Sequence, residues 1–231
     1  MERTLAEAIA RIAALDAEVA AIAWLSLRVS GLATLAGCAV GMPLGALVAI
    51  TRFPGRQGVV TALNALMGLP SVLVGLLVYL LLSRSGPLGP LGLLFTPTAM
   101  VVAQSILVAP LVAALTRQAV EDADRELGEQ LRSLRLSAWQ RARALMLDTR
   151  WTLVVVAMAA FGRAIAEVGA VLVVGGNIAG ATRTMTTAIS LETQKGDLPL
   201  AVALGLVLVA LVLSVNVLAS LLRGHAMRAH G

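Results

Sequence analysis

The sequence predicts an all-α fold: a polytopic transmembrane helical bundle of about five spans, with an N-terminal amphipathic helix and a cytoplasmic helical hairpin. Three observations predict it. Hydrophobic residues make up 58% of the 231 residues and charged residues only 13%, proportions that ordinary soluble domains do not show. Several apolar runs reach the roughly 20 residues a helix needs to cross a hydrocarbon core about 30 Å thick. The polar segment 117–150 keeps apolar residues at three- and four-residue intervals, so it is helical and not a linker.

Composition also narrows the function. A net charge of +5 and a pI near 10.9 would suggest nucleic acid in a soluble protein. Here the arginines sit between apolar runs, where they fix orientation, and no nucleic-acid partner is expected. Cys38 is the single cysteine, which excludes an intrachain disulfide, and no metal site is expected. His225 and His230 lie in a short polar tail and make no site. The opening MERTLAEAIARIAALDAEVAAIAW carries Glu2, Glu7, Asp16 and Glu18 and has no compact apolar core, so it is not read as a secretory signal.

Residues 1–21 form the amphipathic lead-in, with Leu5, Ile9, Ile12 and Val19 near one helical face. The first span covers 22–50. Gly37, Gly41 and Gly45 recur there every fourth residue, a pattern that lets another helix approach closely, and Pro43 predicts a kink. The basic connection TRFPGRQ leads to the second span, 58–82, with Pro70 near its middle. After the turn-rich SRSGPLGPLGLLF, Thr96 and Pro97 predict a cap and first turn for a third span over 96–116. The fourth covers 151–174 and the fifth 198–222, and 223–231 is a cytoplasmic tail.

Lysine and arginine set the orientation. Arg52, Arg56, Arg117, Arg125, Arg132, Arg135, Arg141, Arg143, Arg150, Arg223 and Arg228 fall on one side, against Arg3, Arg11, Arg84, Arg183 and Lys195 on the other. The expected topology in the cell membrane is N-terminus outside and C-terminus in the cytoplasm.

The hairpin occupies 121–147. Leu127, Leu131, Leu134, Ala138, Ala142 and Leu145 supply its apolar stripe, and Ser137 with Gln140 forms a capping box that starts a second helix. Glu121, Asp122, Asp124, Glu126 and Glu129 would be repelled by anionic headgroups. The mixed charge therefore suits a docked protein better than a lipid surface.

EQLRSLRLSAWQRARALMLD resembles the EAA loop of ABC importer permeases, with Glu129 at the leading glutamate and Leu134, Ser137, Trp139 and Leu147 at familiar positions. Gln130 and Leu131 stand where the pattern has two alanines, Arg135 where it has glycine, and Asp148 where proline is common. GMPLGALVAI, NALMGLPSVLVGLLVYLLLSRSGPLGPLGLLFTPTAM, FGRAIAEVGAVLVVGGNIAG and TRTMTTAISLETQKGD extend the resemblance over nearly the whole chain after about residue 22. They resemble the permeases of tungstate-type importers, and more loosely those for molybdate and sulfate.

The resemblance implies a type I ABC importer permease fold over 22–222 and an oxyanion as cargo, with tungstate favoured over molybdate or sulfate. It implies a homodimer with two ATPase subunits and an extracytoplasmic solute-binding protein. ATPase coupling falls to Glu129, Leu134, Arg135, Ser137, Trp139 and Arg143. Gly169, Gly176 and Asn177 join Arg163 and Glu167 along the path or gate, and Arg183, Thr186, Thr187, Glu192 and Lys195 form the binding-protein face. No cofactor is expected in this chain. It lacks a G-x-x-x-x-G-K-[ST] phosphate loop, so energy must come from another subunit or an ion gradient; the resemblance implies that ATP and Mg belong to a separate ATPase subunit and that this chain is a transport subunit and not an enzyme.

Arg163 and Glu167 lie one helical turn apart inside an apolar run, where each charge costs roughly 2.5–3.5 kcal/mol on insertion scales. Two readings stand: an ion pair holding helices in register, or a face lining the translocation path. Gly162, Gly169, Gly175 and Gly176 suit the second by allowing a partner to approach. For Thr182, Thr184, Thr186 and Thr187 the reading is capping and loop satisfaction. A secondary transporter is disfavoured because no inverted repeat or pair of broken helices is apparent in the sequence. An intramembrane enzyme is disfavoured because no convergent His, Asp and Ser set occurs.

Overall fold

The structure is a computed structural model. It describes residues 2–14 and 16–229, with side chains described over 3–14 and 16–222. The side chains of Arg223, His225 and Arg228, and His230 altogether, lie outside the described residues. Ten α-helices and no strand occur among the described residues: α1 (Glu2–Ala13), α2 (Ala17–Ile50), α3 (Arg56–Met67), α4 (Ser71–Leu82), α5 (Pro97–Ser133), α6 (Ala138–Asp148), α7 (Arg150–Ile165), α8 (Gly169–Gly175), α9 (Met185–Lys195) and α10 (Leu198–Ala229).

Among the described residues, three helices are individually long and apolar enough to cross a membrane: Ala17–Ile50, Pro97–Ser133 and Leu198–Leu222. The number reaches five if α3 with α4, and α6 with α7, each count as one bent span. For the second pair the bend is 80°, and α6 carries Arg141, Arg143 and Asp148. The fourth crossing is therefore better taken as α7 continued by α8.

Several helices differ in extent from the expected spans. The helix that carries the first span begins inside the expected lead-in, at Ala17. The helix of the third span continues past Thr116: α5 runs on to Ser133, since no glycine or proline interrupts 111–127 and loss of apolarity alone does not stop a helix. The second span is two helices. Pro70 has no N–H to give the preceding turn, and its carbonyl instead accepts from Leu73 and Val74 at 3.0 and 3.2 Å to open α4. The fourth span breaks at residues 166–168. A pair of broken helices is thus present, contrary to expectation.

The chain divides into two compact units, and the long helices contribute residues to both. The first comprises Met1–Ala33, Pro70–Gln104 and Gly162–Val215; the second comprises Thr34–Leu69, Ser105–Phe161 and Asn216–Gly231.

In the second unit the glycine stripe of α2 lies on α5. A Cβ added at Gly41 would stand 2.7 Å from the Ala109 carbonyl oxygen, and one at Gly45 would stand 2.3 Å from that of Ala113. Backbone meets backbone there, which is what small residues every fourth position permit. Beneath the stripe, Ala46, Ile50, Val120, Ala123, Ala142 and Leu145 form a buried apolar cluster, with Leu127 and Leu131 packed against it.

In the first unit α4 packs on α8. A Cβ at Gly75 would stand 2.8 Å from the Ala170 Cα. The Ser26 hydroxyl, in α2, accepts the N–H of Met185 at 2.8 Å and so ties α9 to α2. Ala8 of α1 is buried, whereas Leu5 and Ile9 stay exposed. Along α10, Val209, Leu213, Val217 and Leu221 are exposed at four-residue intervals. An uncovered apolar stripe of this kind is the surface that lipid requires.

Candidate functional site

Two assemblies carry the residues singled out from the sequence, one in each unit. In the second unit, α5 and α6 form the hairpin. Its turn is made by Arg135, whose φ of +51° is a left-handed conformation that glycine adopts more readily. The Arg135 N–H donates to the Arg132 carbonyl at 3.0 Å. Ser137 then caps α6 in a complete capping box: its N–H donates to Gln140 Oε1 at 2.9 Å, and its hydroxyl accepts the Gln140 N–H at 3.3 Å.

The two arms are held by Arg141 on Asp124 at 2.9 Å, above the buried Ala142 and Leu145. Arg56 anchors the α2 end. It donates to the Val48 and Ala49 carbonyls at 2.9 and 3.3 Å and pairs with Glu121, which also receives Arg117 at 2.7 Å. Carbonyls left open at a helix C-terminus are well served by such a guanidinium.

Burial divides the hairpin cleanly. Leu127, Leu131, Ala142 and Leu145 turn toward the cluster, while Glu129, Leu134, Arg135, Ser137, Trp139 and Arg143 are all exposed. Leu134 and Trp139 are 65% and 55% exposed, and they flank a rigid, capped turn. Ala138, placed on the apolar stripe from the sequence, is exposed as well, because the turn at Arg135 resets the helical phase before α6 begins.

In the first unit the fourth span breaks around Glu167. The Glu167 N–H makes a tight i−3 bond to the Ala164 carbonyl at 3.1 Å, and α8 begins two residues later. The Glu167 carboxylate accepts Arg163 at 2.6 Å and the Ala170 N–H at 3.2 Å, and the Ser71 side chain is a further hydrogen-bond partner. Thr186 donates its hydroxyl to the Glu167 carbonyl at 2.8 Å. Gln104 reaches the same break by donating to the Ala164 carbonyl at 2.9 Å. The carboxylate acts as a bracket joining the end of α7, the start of α8 and the start of α4.

The pair is asymmetric: the Glu167 side chain is 4% exposed and that of Arg163 is 44%. The glycines near it mostly make room within the chain. Gly169 faces Val72 and Ser71, Gly175 faces Met100, and Gly176 faces the Phe95 ring. Only at Gly162, of the four named from the sequence, would a Cβ meet nothing within 4 Å. Gly176 and Asn177 both take positive φ, +70° and +50°, turning the chain after α8. The Asn177 amide donates to the Thr187 carbonyl at 3.3 Å, while its Oδ1 is buried with no partner.

Most of the residues expected to form the binding-protein face are covered within this chain. Thr186, Thr187 and Glu192 are inside the unit, and their polar atoms are used there. Thr187 accepts the Thr184 N–H to start α9, and Glu192 is shared by Lys195 at 3.0 Å and Arg183 at 3.6 Å. Arg183 is itself mostly covered, and Lys195 is the residue of the set that stands half-exposed. Thr182 likewise serves the loop, donating to the Gly175 carbonyl and accepting the Ile178 N–H.

Sequence reasoning missed Ser71, Gln104 and Ser26. The Gly68-Leu69-Pro70 run signals a helix restart just before Ser71; nothing local marks the other two, whose roles depend on distant backbone. Among the described residues no group of three or more His, Cys, Asp or Glu is placed to hold a metal ion.

Residues 41–227 match the family described as the binding-protein-dependent transport system inner membrane component. The chain is 42% identical over 203 residues to a probable anion ABC transporter permease protein of Haloferax volcanii, covering 86% of this chain and 88% of that one. It is 41% identical over 201 residues to a tungstate uptake system permease protein of Peptoclostridium acidaminophilum, with 87% and 88% covered. It is 30% identical over 183 residues to a molybdenum transport system permease protein of Escherichia coli, with 75% and 80% covered. With its all-helical fold and several membrane-crossing helices, this chain belongs to the binding-protein-dependent transport system inner membrane components.

Proposed function

We propose that the chain is the membrane-spanning subunit of an ATP-driven importer for a tetrahedral oxyanion, with tungstate the first choice. Two copies enclose one pathway, two ATPase subunits dock on the cytoplasmic side, and a solute-binding protein delivers the anion outside. The termini lie as the charge distribution expects, N-terminus outside and C-terminus inside. The names carried by the relatives favour tungstate, and the more distant molybdenum and sulfate permeases make those anions the second reading.

The observation that carries the proposal is the hairpin. A turn presenting exposed Leu134 and Trp139, pinned by a capping box and an Arg141–Asp124 pair, is built to be gripped by another protein. ATP binding would close the ATPase dimer and move the gripped hairpins, switching the shared cavity between its two openings. ATP and Mg are assigned to the ATPase subunit, in keeping with the lack of a phosphate loop in this chain.

Arg163, Glu167, Gly169, Gly176 and Asn177 are assigned to the path or its gate. Arg163 is the member with charge to offer a passing anion, and conduction needs attraction weak enough for release. Glu167 shapes the break from which Arg163 projects. Lys195 with the rim of Arg183 is left as the accessible part of the outer face, and Thr186, Thr187 and Glu192 support it from within.

The test is co-expression with the neighbouring ATPase and binding-protein genes, followed by gentle purification and uptake assays. Tungstate uptake should require all three components, and Glu129→Lys should abolish it while the subunit stays in the membrane. Failure of any ATPase subunit to co-purify, or normal uptake by Glu129→Lys, overturns the proposal. Uptake of molybdate or sulfate in preference would replace only the cargo.

A further inference from the structure

A cavity of about 630 Å³ lies in the second unit, between the α2–α3 connection and the hairpin, and nothing in the coupling or translocation readings uses it. Five guanidiniums line it, from Arg52, Arg56, Arg125, Arg132 and Arg141, against the two carboxylates of Glu121 and Asp124. The carboxylates are already engaged: Glu121 by Arg56 and Arg117, Asp124 by Arg141. Neither Arg52 nor Arg132 has a carboxylate partner among the described residues, and Arg132 uses its Nε on the Gly128 carbonyl at 2.9 Å. The Nε of Arg141 is buried with no hydrogen-bond partner. The floor is the end of α2, Ala49 and Ile50.

Arg125 pairs with Asp122 at 3.3 Å, which leaves Arg52 and Arg132 as the guanidiniums on this concave wall without a carboxylate, and like charges gathered in a cleft raise the local potential for an anion. Guanidiniums are the side chains best matched to a tetrahedral oxyanion, giving paired N–H donors to adjacent oxygens. We infer that this cavity is a binding site for a phosphate-type tetrahedral oxyanion, held between Arg52 and Arg132.

The anion has two sources of the same chemistry. One is a free oxyanion, including the cargo, bound after release. The other is the phosphate of an anionic lipid, whose glycerol portion the apolar floor would accept. The volume exceeds that of a bare oxyanion and leaves room for either water or a headgroup. That the ligand comes from the cytoplasmic side rests on the orientation proposed above; binding itself does not, so the two are tested separately.

The experiment uses the full chain in nanodiscs of phosphatidylcholine, alone or mixed with phosphatidylglycerol. In phosphatidylcholine, tungstate and inorganic phosphate are titrated against thermal unfolding. In the mixed discs, native mass spectrometry reads retained phosphatidylglycerol. The double variant Arg52→Gln with Arg132→Gln removes the two donors that pair with no carboxylate, and Arg84→Gln in the 83–95 loop is the control for lost positive charge.

A saturable stabilisation by free anion, weakened about tenfold or more in the double variant but not in the control, supports the site and identifies its source as solution. Retained phosphatidylglycerol, lost in the double variant only, supports it with lipid as the source. Neither anion bound, or both bound equally by the native chain and the double variant, overturns it. A reversed topology, read by labelling a cysteine introduced at Arg52, would overturn the orientation and leave the binding result standing.

Discussion

Ser71, the first residue of α4, shares the Glu167 carboxylate with Arg163 and with the Ala170 N–H that opens α8. Two interrupted helices are therefore joined at their breaks through one buried acid. Glu167→Ala leaves three partners without an acceptor and should destabilise the chain by about 2–4 kcal/mol, read as a lowered thermal midpoint in detergent. Glu167→Gln, which keeps a carbonyl acceptor, should lose less.

Arg163→Gln separates the other half of the pair. Its side chain is 44% exposed but its loss leaves Glu167, 4% exposed, without a cation, so a loss of about 1–3 kcal/mol is expected, while oxyanion uptake falls at least about tenfold if the guanidinium meets the cargo. Uptake equal to that of the native chain would remove Arg163 from the path.

Much of this was legible in the sequence. The all-helical class and the capped restart at Ser137 followed from apolar run length and local hydrogen-bond chemistry, both properties of neighbouring residues. The helix break at Glu167 was not, because a buried acid between Gly162 and Gly169 carries no breaker of its own. The break is made by distant groups, Ser71, Gln104 and Thr186. The burial of Thr187 and Glu192 was not legible for the same reason: a polar residue past the end of a span is buried only if tertiary packing supplies its partners.

The glycine stripe gives a paired prediction. Gly45→Ala sets a methyl 2.3 Å from the Ala113 carbonyl oxygen, and backbone cannot rotate aside, so a loss of about 1–3 kcal/mol is expected. Gly31→Ala in the same helix meets nothing within 4 Å and should be neutral, or stabilising by up to about 1 kcal/mol. Thermal unfolding of the two variants side by side checks the contrast.

At the hairpin turn, Arg135→Gly relieves a left-handed φ and should stabilise locally by about 1 kcal/mol. Ser137→Ala removes half of the capping box and should cost about 1 kcal/mol of helix stability. Hydrogen exchange of the α6 amides measures both, with protection rising in the first variant and falling in the second.

Trp139→Ala together with Leu134→Ala removes side chains that are more than half exposed. The pair should leave the thermal midpoint within about 0.5 kcal/mol of native and abolish co-purification of the ATPase subunit. Intact co-purification would move the docking surface elsewhere.

The contact between Gly45 and Ala113 has a mechanical meaning. Within the second unit, α2 and the hairpin's first arm touch backbone to backbone, with no flexible side chain between them to absorb a displacement. A displacement of the hairpin would therefore be carried to α2 as well as to α5, moving a pair of helices and not one alone.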